Sequence, residues 1–254
     1  MYPKNNPKNP VVSSQSLLAA LLKKTIEVSN FRDLRAVART FAAKRVSRLR
    51  VDRYLGTHPR SLLNIGCGNN HIPGWLNVDL DGGVRAGVVY LDATRPFPIK
   101  TGAFDAVLCE HMIEHIPKPD AVRMIGEIFR VLKPGGKFRV VTPDLDTLID
   151  LFRRPIEGPA QRYMDCIARI HGVTSVSPGD AVNLAFYEYG HRHIYMVSEL
   201  RSMLVDAGFT DILEGRGGYA SDSVFDGVEG HPKIVGVDLD AFEAFAFEAT
   251  KREG

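Results

Sequence analysis

Between Ser61 and Asp81 the sequence SLLNIGCGNNHIPGWLNVDLD runs an apolar stretch (Leu62, Leu63, Ile65) into Gly66-Cys67-Gly68, and a second short apolar stretch ends on Asp79. That order is strand, glycine turn, strand, acid. The apolar run reads as a buried parallel strand. The two glycines let the backbone turn sharply and let a ligand approach the main chain where a Cβ would block it. Ionised Asp79 accepts hydrogen bonds and donates none, which suits a pair of ribose hydroxyls. The stretch reads as a nucleoside-type cofactor site.

From Ser61 onward strand and helix patterns alternate, which predicts a parallel sheet. Val88–Leu91 is a third strand ending on Asp92, and Phe104–Cys109 a fourth ending on Glu110. A helix follows over Ala121–Leu132, and Lys133-Pro134-Gly135-Gly136 stops it. Lys137–Thr142 is the fifth strand, Thr210–Glu214 the sixth and Ala244–Thr250 the seventh, with Ile234–Val237 competing for that last role. Ligands of open α/β sheets sit at the carboxyl ends of the strands. Three acids placed there, beside a GxG turn, are a more specific signal than solvated loop acids would give.

These segments, NIGCG, Asp79, FDAVLCEHMIEHI and VLKPGGKFRVVTPD, resemble class I S-adenosylmethionine-dependent methyltransferases over Ser61–Thr142. The likeness resumes at Val197–Phe209, VSELRSMLVDAGF. The resemblance implies a Rossmann-like, seven-stranded, mostly parallel sheet with an antiparallel last strand and helices on both faces. It implies that Gly66, Cys67 and Gly68 line the methionine part of the cofactor. Asp79, with Leu80, would hold the ribose, and Asp92, with Ala93, would sit near the adenine. Glu110 and His111 would lie under the transferred methyl. The chain departs from the pattern in two respects. Only Asn69–Gly74 separates Gly68 from Trp75, so a full helix is cut to a turn. The glycine pattern also lacks the third glycine of G-x-G-x-x-G, which argues against a dinucleotide, whose pyrophosphate needs a helix N-terminus at close range.

Domain organisation reads as a disordered tail (1–13), an N-terminal helical extension (14–58) and a methyltransferase domain (59–254). Residues 145–195 form an insertion after strand five. Fifty residues exceed a simple connection, so this insertion is read as a helical substrate cap over the strand ends. Helical pieces are expected at Leu145–Arg153, Ala160–His171 and Ala181–Tyr189. The formal net charge is only +2, yet Gln15–Gly56 holds ten Lys or Arg against Glu27, Asp33 and Asp52. This basic segment reads first as a solvated helix face and second as a peripheral contact with an anionic surface through 15–56. Three scattered cysteines, Cys67, Cys109 and Cys166, suit neither a disulfide framework nor a zinc site. A reducing, cytoplasmic setting is expected, and Val11–Leu22 is a poor signal-peptide core.

Methyl transfer to a hydroxyl or amine needs a base for the acceptor's proton, and histidine suits neutral pH. His111 follows the fourth strand directly. His115 would share a helical face with it, but no third ligand is evident and no metal is expected. His191 and His193, alternate residues in the polar-aromatic cluster Tyr187–Tyr195, would point the same way if extended. One of them is the preferred base, and His231 is a weaker candidate. The function read from the sequence is methyl transfer from S-adenosyl-L-methionine to an O or N atom of a small-molecule or glycan-type acceptor. The alternatives are a nucleic-acid methyltransferase, disfavoured because EHMIEH stands where an Asn/Asp-Pro-Pro-aromatic motif would be, and a non-catalytic cofactor-binding regulator or scaffold. Oligomeric state is not readable.

Overall fold

The computed structural model describes residues 46–82 and 87–252. The expected tail, the helix beginning near Ser14 and most of the basic segment lie outside the described residues. The unit that holds the sheet begins at Lys44. Residues 46–58 of the expected extension belong to the compact unit that holds the sheet. Helix α1 (46–57) shows why: Val51 and Tyr54 are buried in the main core. The Tyr54 hydroxyl accepts from the Leu62 N–H (2.9 Å) and donates to the Gly74 carbonyl (2.8 Å), tying helix to strand.

The strands are β1 (Leu62–Ile65), β2 (Leu76–Asp79), β3 (Val89–Tyr90), β4 (Phe104–Glu110), β5 (Leu132–Pro143), β6 (Phe209–Arg216) and β7 (Ala244–Lys251). They form one sheet in the order β3-β2-β1-β4-β5-β7-β6. The first five pair in parallel, and β7 enters antiparallel to both β5 and β6. This is a Rossmann-like sheet with an antiparallel last strand. The reversal of strand order beside β1 opens the crevice at its carboxyl end. β5 starts earlier than Lys137, because Leu132 already pairs with Phe104 and Pro134-Gly135-Gly136 forms a bulge rather than a break. The competing strand at 234–237 is not one; Pro232–Val235 is helical.

Alternation sorts the two faces. Leu63, Ile65, Val107, Cys109, Phe138 and Val140 join the core under α2 (Lys118–Val131), whose Ala121, Met124, Ile125 and Ile128 are fully buried, and under α6 (Val197–Asp206). Ala106 and Leu108 face the other way, onto Ile72, Trp75, Val224 and Phe225. There the missing helix is replaced by a turn built from two buried asparagines. Asn64 Nδ2 donates to the Asn70 carbonyl (2.9 Å) and Asn77 Oδ1 (3.0 Å), and Asn77 brackets Ile72 from both sides (3.0 Å each).

The 217–231 segment covers the rest of that face and is fixed by Arg139, which is only 1% exposed. Its guanidinium pairs with Glu229 and Glu248 and donates to the Tyr219 carbonyl (2.9 Å). Glu248 in turn accepts from the Ser221 and Asp222 N–H groups (2.7 and 2.8 Å). A buried guanidinium is tolerable here because its charge and donors are answered on several sides.

Residues 145–195 form helices α3 (Leu145–Arg153), α4 (Pro159–Ile170) and α5 (Pro178–Asn183), then a π-helical turn over Leu184–Glu188. Their apolar faces (Leu148, Leu151, Met164, Ile167, Ala181) make a second small core, which also takes Leu239 and Phe242 from α8 (Val237–Glu243). A short helix, α7 (Pro232–Val235), precedes α8.

Candidate functional site

Two cavities meet at the carboxyl edge of the sheet. The first, of about 330 Å³, lies over β1 to β4. Gly66, Asp79, Leu80, Asp92, Ala93 and His111, all read from the sequence, line it, and Met112 and Ile116 add apolar wall. Gly66 has φ +67°, and a Cβ there would overlap the Met112 side chain, so only glycine serves at this turn. Asp79 is pre-aimed: Oδ2 accepts from the Gly68 N–H (2.9 Å) and Oδ1 from the Leu80 N–H (2.6 Å). Each oxygen keeps a lone pair for a further donor. Asp92 Oδ1 is held by the Thr94 N–H (3.0 Å) and hydroxyl (2.6 Å).

Three expected cofactor residues do not line this cavity. Cys67 is buried. Gly68 acts one step back, through its bond to Asp79. Glu110 is turned away from it: its carboxylate accepts from the Gly230 N–H (2.8 Å), the His231 N–H (2.7 Å) and Asn70 Nδ2 (3.2 Å). An acid closing a strand reads as ligand-facing; here three protein donors consume it and pin the late loop to the end of β4.

The second cavity, of about 380 Å³, lies between the strand ends, α4, the π-helical turn and α7–α8. Leu148, Ile167, Ile170, Ala185 and Leu239 give it apolar walls, and His111, Glu114, His115, His191, His231 and Glu243 bring the polar groups. His111 and His115 line both cavities. His111 sits at φ +43°, a strained conformation for a residue with a Cβ. Its ring spans two buried carboxylates, with Nδ1 3.4 Å from Glu114 Oε1 and Nε2 3.4 Å from Asp240 Oδ1. Burial disfavours the charged ring, but the bonds and charges of Asp240 and Glu114 outweigh it and hold the pKa well above the ordinary value. Both ring nitrogens face carboxylates, so His111 is read as a binding and electrostatic group rather than as the base.

His191 and His193 part company. The chain turns at Arg192, whose N–H, like that of His193, bonds to the Glu114 carbonyl (2.6 and 3.2 Å). His191 faces the cavity, its Nδ1 buried and without a hydrogen-bond partner. Burial lowers its pKa, so the ring is neutral near pH 7. His193 turns to Glu199 on α6 (3.0 Å to each oxygen) and packs edge-on against Tyr195. It anchors the cap's return to the core and is absent from the cavity wall, which corrects its assignment as a base. His115 does not share a face with His111. The turn Ile113–His115 is 3₁₀, and His115 stands beside His191 (ring centroids 4.9 Å).

Sequence reasoning missed Glu114, Asp240 and Glu243 as site residues. Asp240 is fully buried between His111 and His231, with His231 Nδ1 at 2.6 Å, and Glu243 Oε1 lies 3.3 Å from the same nitrogen. The one available signal was the buried-strand-like apolar run that follows them, which fixes 237–243 at the sheet edge.

Residues 63–140 match the family model described as a methyltransferase domain. Over that stretch the chain is similar to methyltransferase domains, and its sheet order is that of a Rossmann-like methyltransferase fold. The chain is 51% identical, over 43 residues, to the ubiquinone biosynthesis O-methyltransferase of Xanthomonas oryzae pv. oryzae. That match spans 17% of this chain and 17% of the relative, about one sixth of the relative's length. Among solved structures, it is similar to a SAM-dependent methyltransferase of Archaeoglobus fulgidus (16% identity, 82% of this chain, 94% of that one, TM-score 0.45). It is also similar to phosphoethanolamine N-methyltransferase 2 of Haemonchus contortus in complex with S-adenosyl-L-methionine (16%, 81% and 52%, TM-score 0.42). Among the described residues, no helix is long and apolar enough to cross a membrane.

Proposed function

We propose that the protein transfers a methyl group from S-adenosyl-L-methionine to an oxygen or nitrogen of a small acceptor seated in the second cavity. The observation that carries this reading is the junction at His111, where an aspartate-edged cavity over β1–β4 meets an apolar cavity whose wall includes His191. The residues fit the cofactor. Asp79, with both oxygens oriented by backbone N–H groups, would hold the ribose hydroxyls. Leu91, Ala93 and Ile116 would pack on the adenine, and Asp92 would accept from its amino group. When bound, the cofactor supplies an activated methyl whose leaving group is already a sulfonium.

The chain's own part is alignment and proton removal. Apolar walls from α3, α4 and α8 exclude water and orient the acceptor, a proximity effect worth about 7–11 kcal/mol at best. His191, on the wall of the second cavity, takes the acceptor's proton. His111, held between Glu114 and Asp240, fixes the boundary between the two ligands. The second cavity is enclosed by the cap and sized for a small acceptor, which favours this reading over nucleic acid.

The test is direct. The demethylated cofactor should bind the purified chain one to one in calorimetry, and a panel of phenols, hydroxy acids, amines and sugars should yield a labelled product with one class. Binding of cofactor with no acceptor methylated across the panel would favour the regulatory reading. No binding at all would sink the proposal.

A further inference from the structure

His111, Asp240, His231 and Glu243 are carried by the end of β4, the late loop and α8, and converge on one point of the second cavity's wall. One donor atom from each lies within 4.8 Å of the other three. We propose that these four side chains bind a single divalent transition-metal ion of the zinc or manganese type in the wall of the acceptor cavity. The ligand atoms are His111 Nε2, His231 Nδ1, Asp240 Oδ1 and Glu243 Oε1.

Four observations carry this. The first is donor chemistry: two imidazoles and two carboxylates are the mixed nitrogen and oxygen set that such ions take, and hard, oxygen-preferring magnesium does not usually take two histidines. The second is spacing. His111 Nε2 to Asp240 Oδ1 is 3.4 Å and His231 Nδ1 to Glu243 Oε1 is 3.3 Å. Tetrahedral bonds of about 2.0–2.2 Å place donors about 3.3–3.6 Å apart. His231 Nδ1 and Asp240 Oδ1, at 2.6 Å, would open by a small rotation.

The third is the outer partner. Metal-ligating histidines commonly give their other ring N–H to a carboxylate. His111 Nδ1 faces Glu114 Oε1 at 3.4 Å, and Glu114 is itself held by the Thr142 hydroxyl on its other oxygen (3.0 Å). The fourth is what the cluster lacks. Asp240 Oδ2 belongs to a fully buried carboxylate and has no hydrogen-bond partner. Buried carboxylate oxygens left unanswered are costly. A cation among these side chains would offset that cost, and the bonds from Glu110 to the Gly230 and His231 N–H groups hold the loop in place for it.

In this arrangement His111, His231 and Glu243 form part of the cavity wall. An acceptor's hydroxyl oxygen would add to the ion as a fifth ligand, with His191, on the same cavity's wall, to take the proton. That last step rests on the methyl-transfer reading; the ion site does not.

The experiment uses the full chain, stripped with a chelator and titrated with Zn²⁺ and Mn²⁺ in calorimetry without cofactor. One ion per chain is expected. Glu243→Gln and His231→Ala, both at partly exposed positions and checked for folding by circular dichroism, should weaken binding more than about 100-fold, beyond the loss seen for outer-shell partners. His71→Ala, at an exposed histidine, should change nothing. Co²⁺ substitution should give visible absorption bands that Glu243→Gln removes. No ion held more tightly than about 1 mM, or variants that bind as the parent does, overturns the proposal and leaves a proton-sharing network. The demethylated cofactor is titrated in parallel. Cofactor bound without metal removes this inference alone, and metal bound without cofactor removes the proposed activity alone.

Discussion

The two cavities differ in how the chain builds them. Every wall residue of the cofactor side comes from one stretch, Ile65 to Ile116, in which strand ends succeed one another. The acceptor side gathers residues from His111 to Glu243, through the cap, the late loop and α8. A contiguous site is positioned by parallel strand pairing, which repeats predictably. A discontiguous site is positioned by particular side chains, Glu110, Arg139 and Glu114, whose partners lie far away in sequence. The first can hold one ligand across many proteins, while the second is free to differ.

That contrast can be broken by experiment. The largest effect is expected from His191→Asn, which should cut turnover by about 10²–10⁴-fold, the range for losing a general base. Affinity for the demethylated cofactor should stay within about two-fold. A large loss of cofactor affinity would mean the two sides are not separable. Next, Arg139→Ala leaves Glu229 and Glu248 buried and unpaired. Denaturant unfolding should show a loss of about 3–5 kcal/mol, and protease should cut first within 217–231. Asp79→Ala should lower cofactor affinity about 10–100-fold, the worth of one or two hydrogen bonds to a carboxylate, with acceptor binding little changed. The smallest effect is on the cap alone. Ser177 and Asp180 form a reciprocal capping box on α5, and Ser177→Ala should cost about 1 kcal/mol in thermal unfolding without touching cofactor binding.

The same contrast explains what the sequence could reveal. Leu145–Arg153 was legible as a helix, and Ala244 as the start of β7, because period and punctuation are local. Asp79 and Asp92 were legible because parallel strands deliver their last residues to one edge. Glu110 misled, since nothing near it announces that the N–H groups of residues 230 and 231 would claim its carboxylate. His191 and His193 were separated by a turn at Arg192 that alternation cannot foresee. Asp240 reads as an ordinary acid on a short helix, and only folding shows it fully buried between two histidines from other elements.

The position of β7 has a consequence for how such a protein can diversify. β7 lies between β5 and β6, so 217–243 leaves the sheet on one strand and re-enters on that strand's immediate neighbour. Both ends of the segment are anchored side by side, however long the path between them. Lengthening a loop with fixed ends costs only about 0.6 kcal/mol of closure entropy per doubling. The segment is thus an interchangeable cassette. It can be rewritten, with new donors or a new wall for a different acceptor, while the strands that read the cofactor keep their register.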